Sequence, residues 1–171
     1  MSRGSLRSLA VGGALIVGVL VFRSQVGGPL VVESNTLSPS IAAGARVWVW
    51  KWHGVPEPGA AVWVRWPGTE LSGAYRVAAV GPATIETDVD GTVWVDGQKI
   101  VRREAAGHWL ERWGDREVAI TLGGPIQPPT EVPVGHVFLL SDARPVGGDG
   151  RVHGVVPEWA ILGKIGFLRS P

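Results

Sequence analysis

The sequence contains no cysteine, which excludes disulfide bonds, thiolate catalysis and cysteine-based metal sites. It also lacks an excess of charge of either sign, because 16 Lys and Arg residues face 15 Asp and Glu residues. This balance gives no electrostatic support for nucleic-acid binding, which normally needs a clustered basic surface. Charged residues make up 18% of the 171 residues, a low share against about 25% in typical soluble domains. The length suits one domain with its own core.

Tyrosine and phenylalanine are scarce, with 1 and 3 residues, whereas tryptophan occurs 9 times. The indole joins an apolar ring to an N–H group, a combination that suits a membrane–water interface as well as a protein core. Trp48, Trp50 and Trp52 occupy alternate positions and therefore share one face of a predicted strand. This row predicts either contact with a lipid bilayer or cover by a second sheet.

The N-terminal segment is an uncharged apolar run, residues 8–22, preceded by Arg3 and Arg7 and followed by Arg23. A helix over this run would span about 22 Å, less than the roughly 30 Å of a bilayer core. A cleaved signal peptide and a short retained anchor both fit this pattern. No small-x-small cleavage site follows, which favours a retained single transmembrane helix within residues 1–28. The flanking arginines predict a cytoplasmic N-terminus and a domain, residues 29–171, outside the membrane.

Beyond the anchor, the sequence is typical of an all-β domain. The 25 glycines and 13 prolines divide it into short segments rich in Val and Trp. Residues 89–91 predict a hairpin turn, and residues 103–120 fit either a short helix or an inserted hairpin. Predicted strands cover residues 47–52, 61–66, 75–80, 83–88, 92–97 and 136–142.

Three segments beyond the anchor form a recognisable series. The first, residues 34–44, is SNTLSPSIAAG, and the second, residues 74–100, contains Tyr75-Arg76-Val77 and then Val95-Asp96-Gly97. The third, residues 141–154, is SDARPVGGDGRVHG. Their order and spacing resemble those of the type I signal peptidases, a family of membrane-anchored serine endopeptidases. The resemblance implies an all-β domain of barrel or sandwich type, with its cleft against the outer leaflet of the membrane.

The resemblance also implies roles for individual residues. Thr36 falls on the family's nucleophilic serine, Ser34 on the serine that supports the oxyanion hole, and Tyr75 on the catalytic lysine. Leu37 and Pro39 fall on family positions that we expect to contact the substrate. The residues expected to brace the site are Arg76, Asp142, Arg144, Asp149 and Arg151.

The chemistry of this site lacks a base. A hydroxyl becomes an effective nucleophile only when a neighbouring group removes its proton, and a positioned base contributes about 10²–10⁴-fold to the rate. Tyr75 offers a phenol in place of an amine, and a neutral phenol donates a hydrogen bond well but accepts a proton poorly. Gly147 replaces the family's serine that supports the lysine. The histidines are interpreted as surface or packing residues, at positions 53, 108, 136 and 153.

A second alignment makes Ser40 the nucleophile. Ser40 to Gly44 resembles the S-L-P-x-G motif of the conjugal-transfer maturation peptidases, with Ala for Pro. The base position is still Tyr75. Lys51, Lys99 and Lys164 remain as other amines, none of them at the expected position.

The resemblance implies a signal-peptidase-like protein of the bacterial inner membrane that acts on signal peptides of exported precursors. We expect no metal ion or other cofactor and no nucleic acid; the predicted partners are signal peptides and the lipid bilayer. Catalysis through Thr36 or Ser40 and a non-catalytic binding role are both open at this stage. A further alternative is a secreted β domain without peptidase ancestry.

Overall fold

The β-branched and aromatic segments predicted as strands form strands in a computed structural model that describes residues 11–21, 26–51, 54–105, 107–146 and 148–167. The all-β prediction is confirmed. The predicted hairpin turn over residues 89–91 joins the fifth and sixth strands, and the amide of Gly91 donates to the carbonyl of Asp88 at 2.9 Å. Gly91 has a φ of +77°, a conformation that glycine adopts without strain.

The strands form three sheets, with only short helices between them. A seven-stranded sheet has the order β1-β2-β14-β3-β4-β12-β13, a four-stranded sheet β11-β5-β6-β7 and a three-stranded sheet β10-β9-β8. The strands are β1 (Gly27–Val31), β2 (Arg46–Trp50), β3 (Ala61–Arg65), β4 (Ser72–Val80), β5 (Ala83–Thr87), β6 (Val93–Val95), β7 (Gln98–Lys99), β8 (Arg102–Ala105), β9 (His108–Trp113), β10 (Arg116–Ile120), β11 (Gln127–Val132), β12 (His136–Leu140), β13 (Val156–Pro157) and β14 (Ile161–Phe167).

Strands β8, β9 and β10 occupy this region, so of the two interpretations of residues 103–120 the hairpin is correct and the helix is wrong. The strands pair in antiparallel order, with Ala105 opposite His108 and Trp113 opposite Arg116. The side chains of Glu111 and Trp113 lie on one face of β9 and are buried. This burial explains the pattern: alternate residues of the segment face the core, as in a half-buried strand.

The seven-stranded sheet connects the start of the domain to the expected site. Its register places Gly27, Trp50, Lys164, Val62 and Tyr75 in one row across β1, β2, β14, β3 and β4. Neighbouring strands lie about 4.8 Å apart, so the row spans about 19 Å. The start of β4 and the start of β1 therefore lie at the same end of the sheet.

Three apolar clusters make up the core. One packs on the side of Tyr75, a second lies between the large sheet and the hairpin sheets, and a third includes Leu37 and Ile41. Val62, Val64, Val77, Phe138 and Leu139 are fully buried, which places the centre of the core along β3, β4 and β12.

The N-terminal apolar run forms a helix, α1, over residues 11–21. Its large apolar side chains are more than half exposed, for example Leu15 at 65% and Leu20 at 60%. Among the described residues no helix has the length and hydropathy needed to cross a bilayer. Residues 1–10 and 22–25 of the predicted anchor lie outside the described residues. The division at residue 28 stays a prediction.

The tryptophan row is only partly covered. Trp48 is half-buried, Trp50 is 46% exposed, and their ring centroids lie 5.7 Å apart. Trp52 lies outside the described residues. The described part of the chain therefore leaves Trp50 open, rather than packing it under a second sheet.

Candidate active site

The loop that carries the first motif joins β1 to β2 and is closed at its base by main-chain hydrogen bonds. The amide of Val32 donates to Ala45 at 3.0 Å, and the amide of Gly44 donates to Val32 at 2.7 Å. Leu37 is fully buried in the third core cluster, and Pro39 is half-buried. The burial of Leu37 anchors the loop, while the expected substrate contact of both residues stays a prediction.

Thr36 lies at the centre of a short chain of hydroxyl groups. Its Oγ1 donates to the carbonyl of Ala74, on β4, at 2.6 Å. Because the only hydroxyl proton of Thr36 is used there, the 2.8 Å contact with Ser34 has Ser34 as its donor. Thr36 is 8% exposed. The sequence prediction that Ser34 and Thr36 lie together is thus met, but the proton of Thr36 points at a main-chain carbonyl.

Tyr75 is held away from this hydroxyl chain. Its hydroxyl donates to the carbonyl of Gly148 at 3.0 Å, and its ring packs edge-on against Trp66 with centroids 5.4 Å apart. Trp66 in turn stacks on His153 at 4.8 Å. Within the described residues, the hydrogen bonds of Thr36 and Tyr75 go to different partners, and none joins the two side chains.

Ser40 belongs to a buried ionic network. Asp142 accepts from Nε of Arg76 at 3.1 Å and from its Nη2 at 2.6 Å. The hydroxyl of Ser40 accepts from Nη2 of Arg76 at 2.8 Å and donates to the carboxylate of Asp142, and its oxygen lies 2.9 Å from the carbonyl of Leu37. A two-point Arg–carboxylate pair is directional, so Ser40 helps to fix the motif loop to β4.

The third motif forms a tight loop around Asp149. This carboxylate accepts from the main-chain amide of Ser141 at 2.9 Å and from Arg151, whose Nη2 lies 2.7 Å away. Asp149 also caps the short helix α2, Gly150–His153, by accepting from the amide of Arg151. Arg151 then donates to the carbonyl of Arg144 at 2.7 Å. The predicted bracing role of these residues agrees with their contacts, while Gly147 lies outside the described residues.

The sequence interpretation missed the partner of Arg144. Its Nη2 pairs with Oε2 of Glu111, on β9, and the two side chains are 1% and 0% exposed. Nε1 of Trp113 also donates to Oε2 at 3.2 Å. Burial raises the pKa of Glu111, an effect that the positive charge of Arg144 opposes. The spacing Glu-x-Trp on a strand was the available signal, since both side chains face the same side.

Lys99, His136 and His153 contact groups other than Thr36, Tyr75 and Ser40 in the described part of the chain. Lys164 lies on β14 opposite Trp50 and Val62, and the ammonium group of Lys99 lies 5.7 Å from the ring of Trp94. His153 packs on Trp66, and Nδ1 of His136 lies 3.2 Å from the carbonyl of Val134. His53 lies outside the described residues. The surface or packing interpretation agrees with the contacts of His136 and His153.

A family profile described as signal peptidase, peptidase S26, matches residues 6–169. Among solved structures, a signal peptidase I from Enterococcus faecalis V583 is similar, at 18% sequence identity and a TM-score of 0.44. The match covers 64% of this chain and 95% of that chain. No curated protein matches. The profile match overturns the alternative of a β domain without peptidase ancestry, and the chain belongs to the S26 family of signal peptidases.

Proposed function

We propose that this chain binds signal-peptide-like segments of exported proteins without cleaving them. The observation that carries the proposal is which groups accept hydrogen bonds from the hydroxyls of Thr36 and Tyr75. Thr36 donates to the carbonyl of Ala74, and Tyr75 donates to the carbonyl of Gly148. A carbonyl oxygen accepts a hydrogen bond but does not take the proton, so neither contact activates a nucleophile.

The contacts of Ser40 also favour a structural role. Its nearest carboxylate, Asp142, already accepts two hydrogen bonds from Arg76. These contacts hold the carboxylate of Asp142 against the guanidinium group of Arg76, so the contact of Ser40 with Asp142 belongs to a buried ionic network. A serine peptidase that used Ser40 would have to break this network, and the experiment below includes that outcome.

An apolar cavity beside the site offers a place for such a segment. It has a volume of about 280 Å³ and lies between the β3–β4 turn and the residues that precede β14. Trp66 lines it and also packs on Tyr75, so the cavity adjoins the site. At its rim, Trp159 is 76% exposed and Leu162 is 37% exposed. The apolar side chains of a signal peptide match this lining, because their burial there removes apolar surface from water.

We also propose that the chain is attached to the inner membrane with its β domain on the outer side. Helix α1 exposes a continuous apolar surface that is unfavourable in water. Trp50 is exposed at the end of the sheet where β1 begins, and indole rings favour the bilayer interface. The arginines at positions 3 and 7 support a cytoplasmic N-terminus.

The test compares cleavage and binding of one exported precursor by the purified, detergent-solubilised chain. We expect binding without cleavage by the native chain. Introducing the missing groups in Thr36→Ser/Tyr75→Lys is expected to give measurable cleavage, because a positioned base contributes about 10²–10⁴-fold. Thr36→Ser/Tyr75→Phe is the matched control, which changes the same two positions without supplying an amine.

Cleavage by the native chain would contradict the non-catalytic proposal. If Thr36→Ala or Ser40→Ala abolished that cleavage, the variant would also identify the nucleophile. If the native chain neither bound nor cleaved the precursor, the proposed ligand class would be wrong.

A further inference from the structure

The fully buried pair of Glu111 and Arg144 joins two parts of the molecule that are distant in sequence. Glu111 lies on β9, and Arg144 lies in the loop that follows β12. Their side chains are 0% and 1% exposed, and Oε2 of Glu111 contacts Nη2 of Arg144. Trp113 donates to the same oxygen at 3.2 Å, so three side chains meet at one atom. The pair thus connects the three-stranded hairpin sheet to the loop of the third motif.

Stability alone does not explain this pair. A buried ion pair loses solvation on both sides, and apolar replacements of similar volume are often neutral or stabilising. Here Oε1 of Glu111 and both Nε and Nη1 of Arg144 are buried without a hydrogen-bond partner among the described residues. The desolvation of these groups is therefore only partly offset, which favours a role in placing the loop.

The main chain next to Arg144 holds the candidate site. The amides of Asp142 and Ala143 donate to the carbonyl of Thr36, at 2.7 and 3.3 Å. The carbonyl of Arg144 accepts from Arg151, and the same loop supplies the carbonyl of Gly148 to which Tyr75 donates. A shift of Arg144 would thus move the supports of both Thr36 and Tyr75.

A second link between the hairpin and this loop is short. Thr121, directly after β10, forms an isolated parallel bridge with Ala143 and donates its amide to Asp142 at 3.0 Å. This link attaches the main chain of the loop to the end of the hairpin sheet. The Glu111–Arg144 pair attaches a side chain of the same loop to β9 and so adds a second contact with that sheet.

We propose that Glu111 is a positioning residue, which acts through Arg144 to hold residues 141–146 and 148–151 in the arrangement that orders Thr36 and Tyr75. The consequence for ligand binding rests on the proposed function, because it assumes that precursor segments bind beside these residues. The positioning of the loop itself does not rest on that assumption.

The experiment removes both charges with Glu111→Leu/Arg144→Met in the full-length chain. The unfolding midpoint and the amide hydrogen exchange of Asp142 and Ala143 are measured, together with the binding of an exported precursor. We expect an unfolding midpoint close to that of the native chain. We expect exchange of the two amides to accelerate about tenfold, and precursor binding to weaken by about as much, which corresponds to about 1.4 kcal/mol.

The matched control is Glu117→Leu/Arg103→Met, which removes an exposed ion pair from the same sheet. We expect native exchange at Asp142 and Ala143 in this variant. Native exchange at those amides in Glu111→Leu/Arg144→Met would overturn the proposal, as would equal acceleration in the control.

If the double variant does not fold, Glu111→Gln decides the question. This variant loses the charge of Glu111 but keeps the shape of its side chain. We expect it to accelerate amide hydrogen exchange in residues 141–144 more than in β3 and β4. Uniform acceleration across the chain would mean a general loss of stability and would overturn the proposal. Absence of precursor binding by the native chain would contradict the proposed function only, since the exchange measurement needs no ligand.

Discussion

Ser34, Thr36 and the carbonyl of Ala74 form one directed chain of hydrogen bonds, with contacts of 2.8 and 2.6 Å. In a serine-type peptidase the nucleophile donates to a base, because loss of the proton activates the hydroxyl. Here the hydroxyl of Thr36 ties the motif loop to β4. At the scale of residues, the proposed absence of catalysis thus rests on the acceptor of the Thr36 proton.

Substitution at Thr36 should reveal this tying role. In Thr36→Val the shape is kept but the hydroxyl is lost, which leaves the carbonyl of Ala74 without this donor. We expect a loss of about 1–3 kcal/mol in the free energy of unfolding, measured by urea denaturation. In Thr36→Ser the hydroxyl remains, and we expect a smaller loss that reflects one methyl group, about 0.8 kcal/mol. Equal losses in the two variants would contradict the hydrogen-bond explanation.

Glu111 should give the stability a specific dependence on pH. Burial raises the pKa of Glu111 above its ordinary value of 4.5, so the folded state keeps the proton to a higher pH than the unfolded state. As the pH rises from about 4.5 through the raised pKa, the unfolded state loses its proton before the folded state does. The free energy of unfolding therefore falls over this range. The contribution of Glu111 is therefore full below 4.5 and falls as the pH rises.

The measurement is urea denaturation of the native chain and Glu111→Gln over this range. The free energy of unfolding of the native chain, minus that of Glu111→Gln, is expected to decline as the pH rises. The decline should be no more than about 1.4 kcal/mol per pH unit, because one group titrates. A difference that stays constant with pH, or grows with it, would contradict the raised pKa.

At the scale of elements, β14 is the strand that completes the large sheet. It lies between β2 and β3, which are neighbours in the sequence but not in the sheet. Gly163 permits this insertion, because a Cβ at that position would lie 2.4 Å from Cγ1 of Val49 and 2.7 Å from the carbonyl of Trp50. Glycine is required at position 163 because there is no room for a Cβ, and not because of its backbone dihedral angles.

Gly163→Ala should therefore destabilise the protein. Main-chain atoms of β2 cannot move without distorting the sheet, and we expect a loss of about 1–3 kcal/mol in the free energy of unfolding. Gly166→Ala on the same strand is the control. Its nearest neighbour is Nε1 of the Trp50 side chain, at 3.2 Å, and a side chain can shift. Thermal and urea denaturation of both variants would test the prediction, which fails if Gly166→Ala costs as much.

At the scale of the whole molecule, the large sheet has two different ends. One end carries the start of β1, the end of β2 and the start of β4, and it includes Trp50 and the candidate site. At the other end, Val137 pairs with Val80, and Val134 lies in the preceding turn. The proposed orientation places the first end against the bilayer.

The absence of cysteine allows a direct test of this orientation. Trp50→Cys and Val134→Cys each introduce one thiol, which can carry an environment-sensitive fluorophore in the full-length chain. Both side chains are exposed, at 46% and 75%. In reconstituted vesicles, brominated lipids should quench the label at position 50 but not at position 134. Equal quenching would contradict the proposed orientation.

The all-β class and most strand positions could be predicted from local pattern, because alternation of apolar and polar side chains is a property of neighbouring residues. The predicted strands at 47–52 and 61–66 correspond to β2 and β3, within two residues. Residues 103–120 could not be assigned in this way. The burial of Glu111, which makes that segment a half-buried strand, depends on Arg144 of a distant loop.

The sequence by itself determined the family, because three motifs in a fixed order identify shared ancestry, and it determined which residue types occupy the catalytic positions. Only the tertiary structure decided what those residues contact. The proton of Thr36 goes to Ala74, that of Tyr75 goes to Gly148, and Ser40 joins the ion pair of Arg76. The physical reason is that a hydroxyl proton is directed by whichever acceptor the folded chain places within about 3 Å, and that acceptor lies on another strand or loop.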